Sequence, residues 1–165
     1  MEIQQDAAED SAVAERLGII VGESMTIRFH EKLGGLVPRS EDGEFISFAE
    51  FLPGKPVELR VYLGSSDLLT TDRMNQYALW LEAIANNERN LREAITTEYY
   101  QNYVDNWAEE TPLSRGKFFD AHDLQFITFS EDSAEAYYPS EPYLGHYLVV
   151  EMERPPEISD VSMFG

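Results

Sequence analysis

Apolar and polar positions alternate along ESMTIRF, residues 23–29. Met25, Ile27 and Phe29 fall to one side, Thr26 and Arg28 to the other. A period of two predicts a strand. The following GGLVPRSEDGE, rich in Gly, Ser, Pro and acids, reads as a loop. Alternation returns in EFISFAEFLPGKPVELRVYLG, where two apolar runs flank Pro53-Gly54-Lys55-Pro56. Pro followed by Gly suits a tight turn, so the stretch predicts a hairpin. In its second arm Val57, Leu59 and Val61 face one way. Glu58, Arg60 and Tyr62 face the other.

The period then changes. From residue 70 to 110, Met74, Tyr77, Ala78, Leu81 and Ile84 recur at spacings of three and four, and a second face runs Leu91, Ile95, Tyr99, Tyr103 and Trp107. That spacing predicts helix. Thr70 or Thr71 serves as its N-cap, and Asp72 suits the positive end of the helix dipole. Asn86-Asn87 predicts an interruption, giving two helices or one kinked helix. An aromatic stripe at helical spacing is core rather than a cofactor box. After TPLSRG the period returns to two. DLQFITFSED, SAEAYYPSE, YLGHYLVVEME and EISDVSMFG read as four short strands separated by polar turns.

Strands, then helices, then strands make an α+β class. The expected architecture is a mostly antiparallel sheet, built from a hairpin and a later β-meander, with the helices packed on one face. Residues 1–165 form a single expected domain. Its first sixteen residues are either a short amphipathic helix or a frayed end.

Charge narrows the function classes. The chain carries 31 acids against 12 bases, a formal net charge of −19. Nucleic-acid binding needs Lys and Arg to displace counterions, so this balance argues against it. An anionic membrane would repel the chain, and no stretch approaches the ~20 apolar residues of a span. No cysteine is present, which removes disulfides and thiolate chemistry. The first residues lack the basic and apolar run of a signal peptide. The expected compartment is the cytoplasm.

Residues 105–165 hold thirteen acids and three bases, and they are rich in aromatics. Aromatics supply anchors and charges supply steering at a protein interface. Two groups stand out. Asp105, Glu109 and Glu110 follow the end of the helix. Glu131, Asp132 and Glu135 crowd a turn just before Tyr137 and Tyr138. Strand and helix termini collect at the ends of a domain, so the two groups are expected at one end, facing a basic protein partner. A merely solvated face is the competing reading.

Catalytic signals are weak. His146 alternates with Leu148, Val150 and Met152, with Leu144 on the same side, so it is expected to be packed, its nitrogens bonded to backbone groups or to a buried hydroxyl. Gly145 before it marks a bulge or a close approach. Asp120, His122 and Asp123 match no metal-ligand spacing and read as a solvated polar turn. There is no nucleophile elbow and no phosphate loop. No catalytic residue, metal or cofactor is expected. An enzyme with a polar site around Asp120, His122 and His146 is the remote alternative.

The segments VELRVYLG, EYYQNYVDNW, LQFITFSED, LGHYLVVEME and ISDVSMFG, in that order, resemble bacterial domains of unknown function of the 2262 type. The resemblance covers residues 56–165. It implies no catalytic residues. It implies a place among toxin–immunity neighbourhoods, hence an immunity-type protein that neutralises a cognate, basic toxin by stoichiometric binding. An accessory module that self-associates is the alternative.

Overall fold

A computed structural model describes residues 26–40 and 42–165. The expectations for residues 1–16 and for Met25 fall outside them. The described residues open with β1 (Arg28–His30), β2 (Gly34–Pro38), β3 (Glu44–Leu52) and β4 (Lys55–Tyr62). A long helix, α1 (Thr71–Asn106), and a short one, α2 (Arg115–Asp120), follow. The chain then returns as β5 (Phe126–Phe129), β6 (Ala134–Ser140), β7 (His146–Arg154) and β8 (Glu157–Phe164). The fold is α+β, and the described residues form one eight-stranded sheet in the order of the sequence. All neighbours are antiparallel except β4 and β5, which run parallel. A parallel pair needs a long crossover. Here the connection between the two strands contains both helices.

The predicted hairpin forms with a tighter turn than its composition suggested. Leu52 pairs with Lys55, so Pro53 and Gly54 alone make the turn, with Gly54 at φ 73°. The four predicted C-terminal strands also form.

Two expectations are corrected. The glycine-rich loop contains β2, because Leu36, Val37 and Pro38 bury their side chains and the apolar gain outweighs the local turn preference. Gly34 lets this strand approach β3: a Cβ there would lie 2.7 Å from the Phe48 carbonyl oxygen. The second correction is at Asn86-Asn87, where α1 continues without a break. Ile84 and Leu91, two turns apart, are both buried, and Glu88 pairs with Arg92 at 2.8 Å one turn along. The Asn87 amide donates to the Ala83 carbonyl at 2.8 Å, so its side chain is satisfied without ending the helix. Packing overrides a propensity deficit of only a few tenths of a kcal/mol, about 0.7 at most per residue.

The N-terminus of α1 is capped as expected: the Thr70 hydroxyl accepts the Arg73 N–H at 3.2 Å. Met74, Tyr77, Ala78, Leu81, Ile84, Leu91 and Ile95 join Val57, Leu59, Val61, Ile127, Phe129, Ala136 and Val150 in one core. Tyr77 stacks on Phe129 with ring centres 4.9 Å apart. A second aromatic cluster surrounds Phe118 of α2, with Tyr100, Tyr103, Tyr143 and His122 around its ring.

Candidate binding surface

Successive residues of a strand point to opposite sides. The register therefore groups a second set of side chains on the face opposite Val57, Leu59 and Val61. Arg60, Thr128, Glu135, Glu151 and Asp160 stand in one row across five strands. Glu58, Phe126, Tyr137, Val149 and Ser162 form the next row. Tyr147 pairs with Phe164 beyond them, and Tyr62 with Glu44 at the other end.

These side chains organise one another. Phe126 and Tyr137 stack at 4.2 Å, and Tyr147 meets both edge-on at 5.6 and 6.0 Å. The Arg60 guanidinium lies 3.8 Å from the centre of the Phe126 ring, a cation–π contact, and its Nε donates to Glu58 at 2.6 Å. The Tyr137 hydroxyl donates to Glu135 at 2.5 Å, and the Tyr147 hydroxyl to Gln125 at 2.7 Å. Burial, followed by the accepting Glu135 carboxylate, holds the Tyr137 hydroxyl pKa well above its usual value. It stays a neutral donor at every physiological pH. A cleft of about 480 Å³ opens between Arg60, Tyr62, Glu135, Tyr137, Tyr147 and Phe164. Phe164 is 67% exposed and Tyr62 42%. The surface is aromatic and carboxylate-bearing, and Arg60 is its one guanidinium in the cleft among the described residues.

The residues expected to bind a partner divide among four places. Glu135 and Tyr137 line this cleft. Tyr138 does not: as the next residue of β6 it points to the opposite side and is fully buried, so it cannot touch a partner. Glu131 and Asp132 are exposed in the β5–β6 turn beside the cleft. The Arg73 guanidinium donates to the Glu131 carbonyl, and the Tyr77 hydroxyl donates to that of Ser130 at 2.8 Å. That turn is thereby fixed to the beginning of α1. Asp105 lies in the last turn of α1, and Glu109 and Glu110 follow it, all exposed. Arg73 and Asp105 are 32 positions apart in one helix, or about 48 Å at 1.5 Å per residue. The two acidic groups therefore sit at opposite ends, not at one.

The histidines also separate. His122 is not part of a solvated turn; it is fully buried. Its Nδ1–H donates to the Phe118 carbonyl at 2.7 Å, and its Nε2 accepts the Ser140 hydroxyl at 2.8 Å. Both nitrogens are thus engaged within the core, while its neighbours Asp120 and Asp123 are exposed. Asp123 pairs with Lys55 at 3.2 Å. His146 is half-buried, donates from Nδ1 to the Tyr143 carbonyl at 2.6 Å, and lies edge-on to Trp107 at 5.6 Å. Packing and a backbone bond are what the alternation predicted for it. Leu144 departs from that alternation: it precedes β7, adopts φ 54° and is 82% exposed. With a backbone hydrogen bond and only intermediate burial, His146→Ala is expected to lower stability by about 1 kcal/mol, read by urea unfolding. A loss above about 3 kcal/mol would show a larger structural role than these contacts account for.

Among the described residues, no three His, Asp or Glu side chains gather as a metal site. Nor is any described helix long and apolar enough to cross a membrane. Sequence reading missed Phe126, Tyr147 and Phe164 as companions of Tyr137. They come from three other strands, and only the register joins them. No family's sequence profile, no curated protein and no solved structure matches the chain.

Proposed function

We propose that this is an immunity-type binding protein, acting in the cytoplasm, which neutralises a cognate basic toxin by stoichiometric binding. In this reading α1 and α2 cover one face of the sheet. The other face, with Tyr62, Tyr137, Tyr147 and Phe164, receives the toxin. The observation that carries the reading is the grouping of these aromatics with Arg60, Glu135 and Glu151 on one surface. Tyr and Arg are the residue types that dominate interface energetics. Carboxylates on a chain of net charge −19 attract a basic partner and repel nucleic acid. Glu131 and Asp132 lie at the rim of this surface. Asp105, Glu109 and Glu110 lie outside it.

The test is binding to the product of the adjacent reading frame, followed by calorimetry for stoichiometry. Tyr137→Ala with Tyr147→Ala is expected to weaken binding by at least about tenfold. Glu131→Lys with Asp132→Lys is expected to slow association and flatten its salt dependence. If the neighbour's product does not bind at micromolar concentration, the immunity reading fails. If it binds and neither pair of substitutions matters, the face is wrong.

One observation favours a second reading, the self-associating accessory module. β8 is the outermost strand, and its far edge has no partner strand among the described residues. That reading requires a symmetric dimer in sedimentation and no toxin.

A further inference from the structure

β3 is only half covered by its neighbour. β2 pairs with it at Phe45 and Ile46 alone, and Gly34 then crosses beside Phe48. From Ala49 to Leu52, β3 has no partner strand on that side among the described residues. Unpaired backbone N–H and C=O groups there form a template for another strand. The edge is not flat against solvent. It faces a groove of about 590 Å³ whose opposite wall is α1, at Ala78, Leu81 and Ala85. Ala78 and Ala85 leave low points in that wall on either side of Leu81. Beyond Phe51 and Leu52, which they share, a second hollow of about 300 Å³ continues to Glu88 and Arg92. From Ala78 to Arg92 the helix runs about 21 Å, at 1.5 Å per residue. That length takes about six residues of extended chain at ~3.3 Å each.

The groove also carries a sign. Glu31, Glu50 and Glu82 line it against Lys32, which Glu82 already engages at 2.7 Å. Among the described residues, Glu31 and Glu50 are therefore left without a basic partner in the groove; the Glu50 carboxylate accepts only the Gly54 N–H, at 3.2 Å. A second copy of the chain would bring its own charge of −19 towards them.

We propose that this groove binds an extended segment of another protein, with alternating apolar and Lys or Arg residues, as an added strand on Ala49–Leu52. The main chain pairs with β3. Alternate apolar side chains enter between Ala78 and Ala85, and the basic ones reach Glu31 and Glu50. An unpaired strand edge beside a helix-walled groove is the arrangement strand addition uses. The inference stands apart from the toxin reading, because the two surfaces share no cleft residue.

The probe is a capped, fluorescein-labelled hexapeptide of alternating Val and Lys, titrated by anisotropy into the full chain. Controls are the Val–Glu counterpart and a Val–Lys peptide N-methylated at alternate amides. Residue-resolved amide exchange locates the site. The Val–Lys peptide is expected to bind, to slow exchange at residues 49–52, and to bind about tenfold better than either control. Ala85→Trp, which fills the groove, is expected to abolish binding. Glu50→Lys, at an exposed position, tests the charge without touching the core and is expected to weaken binding about tenfold. Each of the following overturns the proposal: equal affinity for the Val–Glu peptide; protection at residues 160–164 in place of 49–52; unchanged binding in Glu50→Lys. Absence of binding at millimolar peptide does so too, and means that the groove is closed or filled by the chain itself. A dimer that the peptide displaces gives the groove to a second copy and overturns it equally.

Discussion

Phe118→Ala is expected to destabilise the protein by about 3–5 kcal/mol, the range for removing a large aromatic from a packed core. Phe118 is fully buried. Its ring centre lies 4.7 Å from that of His122, 5.2 Å from Tyr103, 5.5 Å from Tyr100 and 6.3 Å from Tyr143. These partners come from α1, from the chain after α2 and from the turn before β7, so one side chain ties three segments together. The helix that carries it has six residues. A helix that short does not hold itself in water, where isolated helices below ~12–15 residues are marginal. Within the helix the Ser114 hydroxyl accepts the Lys117 N–H at 3.4 Å, and Arg115 ties it to Glu93 of α1 at 2.6 Å, an exposed pair. Losing Phe118 therefore removes the buried anchor of α2 and leaves a cavity, with only these polar contacts and Arg92 over the Phe119 ring to hold the helix. Lys117→Ala, at an exposed position in the same helix, is the control and is expected to stay within about 0.5 kcal/mol of the parent. Both are measured by urea unfolding followed through far-ultraviolet circular dichroism. A loss below about 1 kcal/mol for Phe118→Ala would show that the aromatic cluster repacks around the gap.

What the sequence disclosed depends on how locally each feature is determined. The hairpin and the four late strands were legible because alternation and turn residues sit within a few positions of one another. Position 137 was legible as a surface aromatic, but its neighbour was not excluded. Two adjacent tyrosines in a strand cannot share a face, and choosing between them requires knowing which side is covered. That choice is made by β4 and β5, whose parallel pairing of Leu59 with Ile127 spans the whole helical crossover. No local pattern encodes it. The same limit hid the cleft, since Tyr62, Phe126, Tyr147 and Phe164 meet Tyr137 only through register. At Asn86-Asn87 and in the glycine-rich stretch, local preference was read correctly and then overruled by burial of Ile84, Leu91, Leu36 and Val37. His122 shows the converse. Flanking Asp120 and Asp123 gave it a polar appearance, while its decisive partner, Ser140, lies 18 positions away.

His122 is also where the acid response of this fold is expected to show. Burial, the largest cause, lowers its pKa from the usual 6.5; the Arg92 charge acts in the same direction, and the Phe118 carbonyl opposes it. A base whose folded pKa lies below its unfolded one binds protons more readily when unfolded. Its contribution is thus fully present above about pH 6.5 and is lost as the pH falls towards the folded value. His122→Ala removes the ring and leaves the Ser140 hydroxyl and the Phe118 carbonyl without it. A cavity and an unpaired buried group together are expected to cost about 2–4 kcal/mol at pH 7.5. Below pH 6.5 the parent loses stability that the variant does not, so the gap between them narrows towards pH 5. Protonation of the many carboxylates relieves the repulsion of a −19 chain over the same range, with the opposite sign. That effect is common to both proteins, and their difference cancels it. Urea unfolding of the pair at half-unit steps from pH 7.5 to 5 reads the gap directly. A gap that stays constant would mean that His122 titrates alike folded and unfolded. Its two hydrogen bonds would then stabilise the core without making it sensitive to acid.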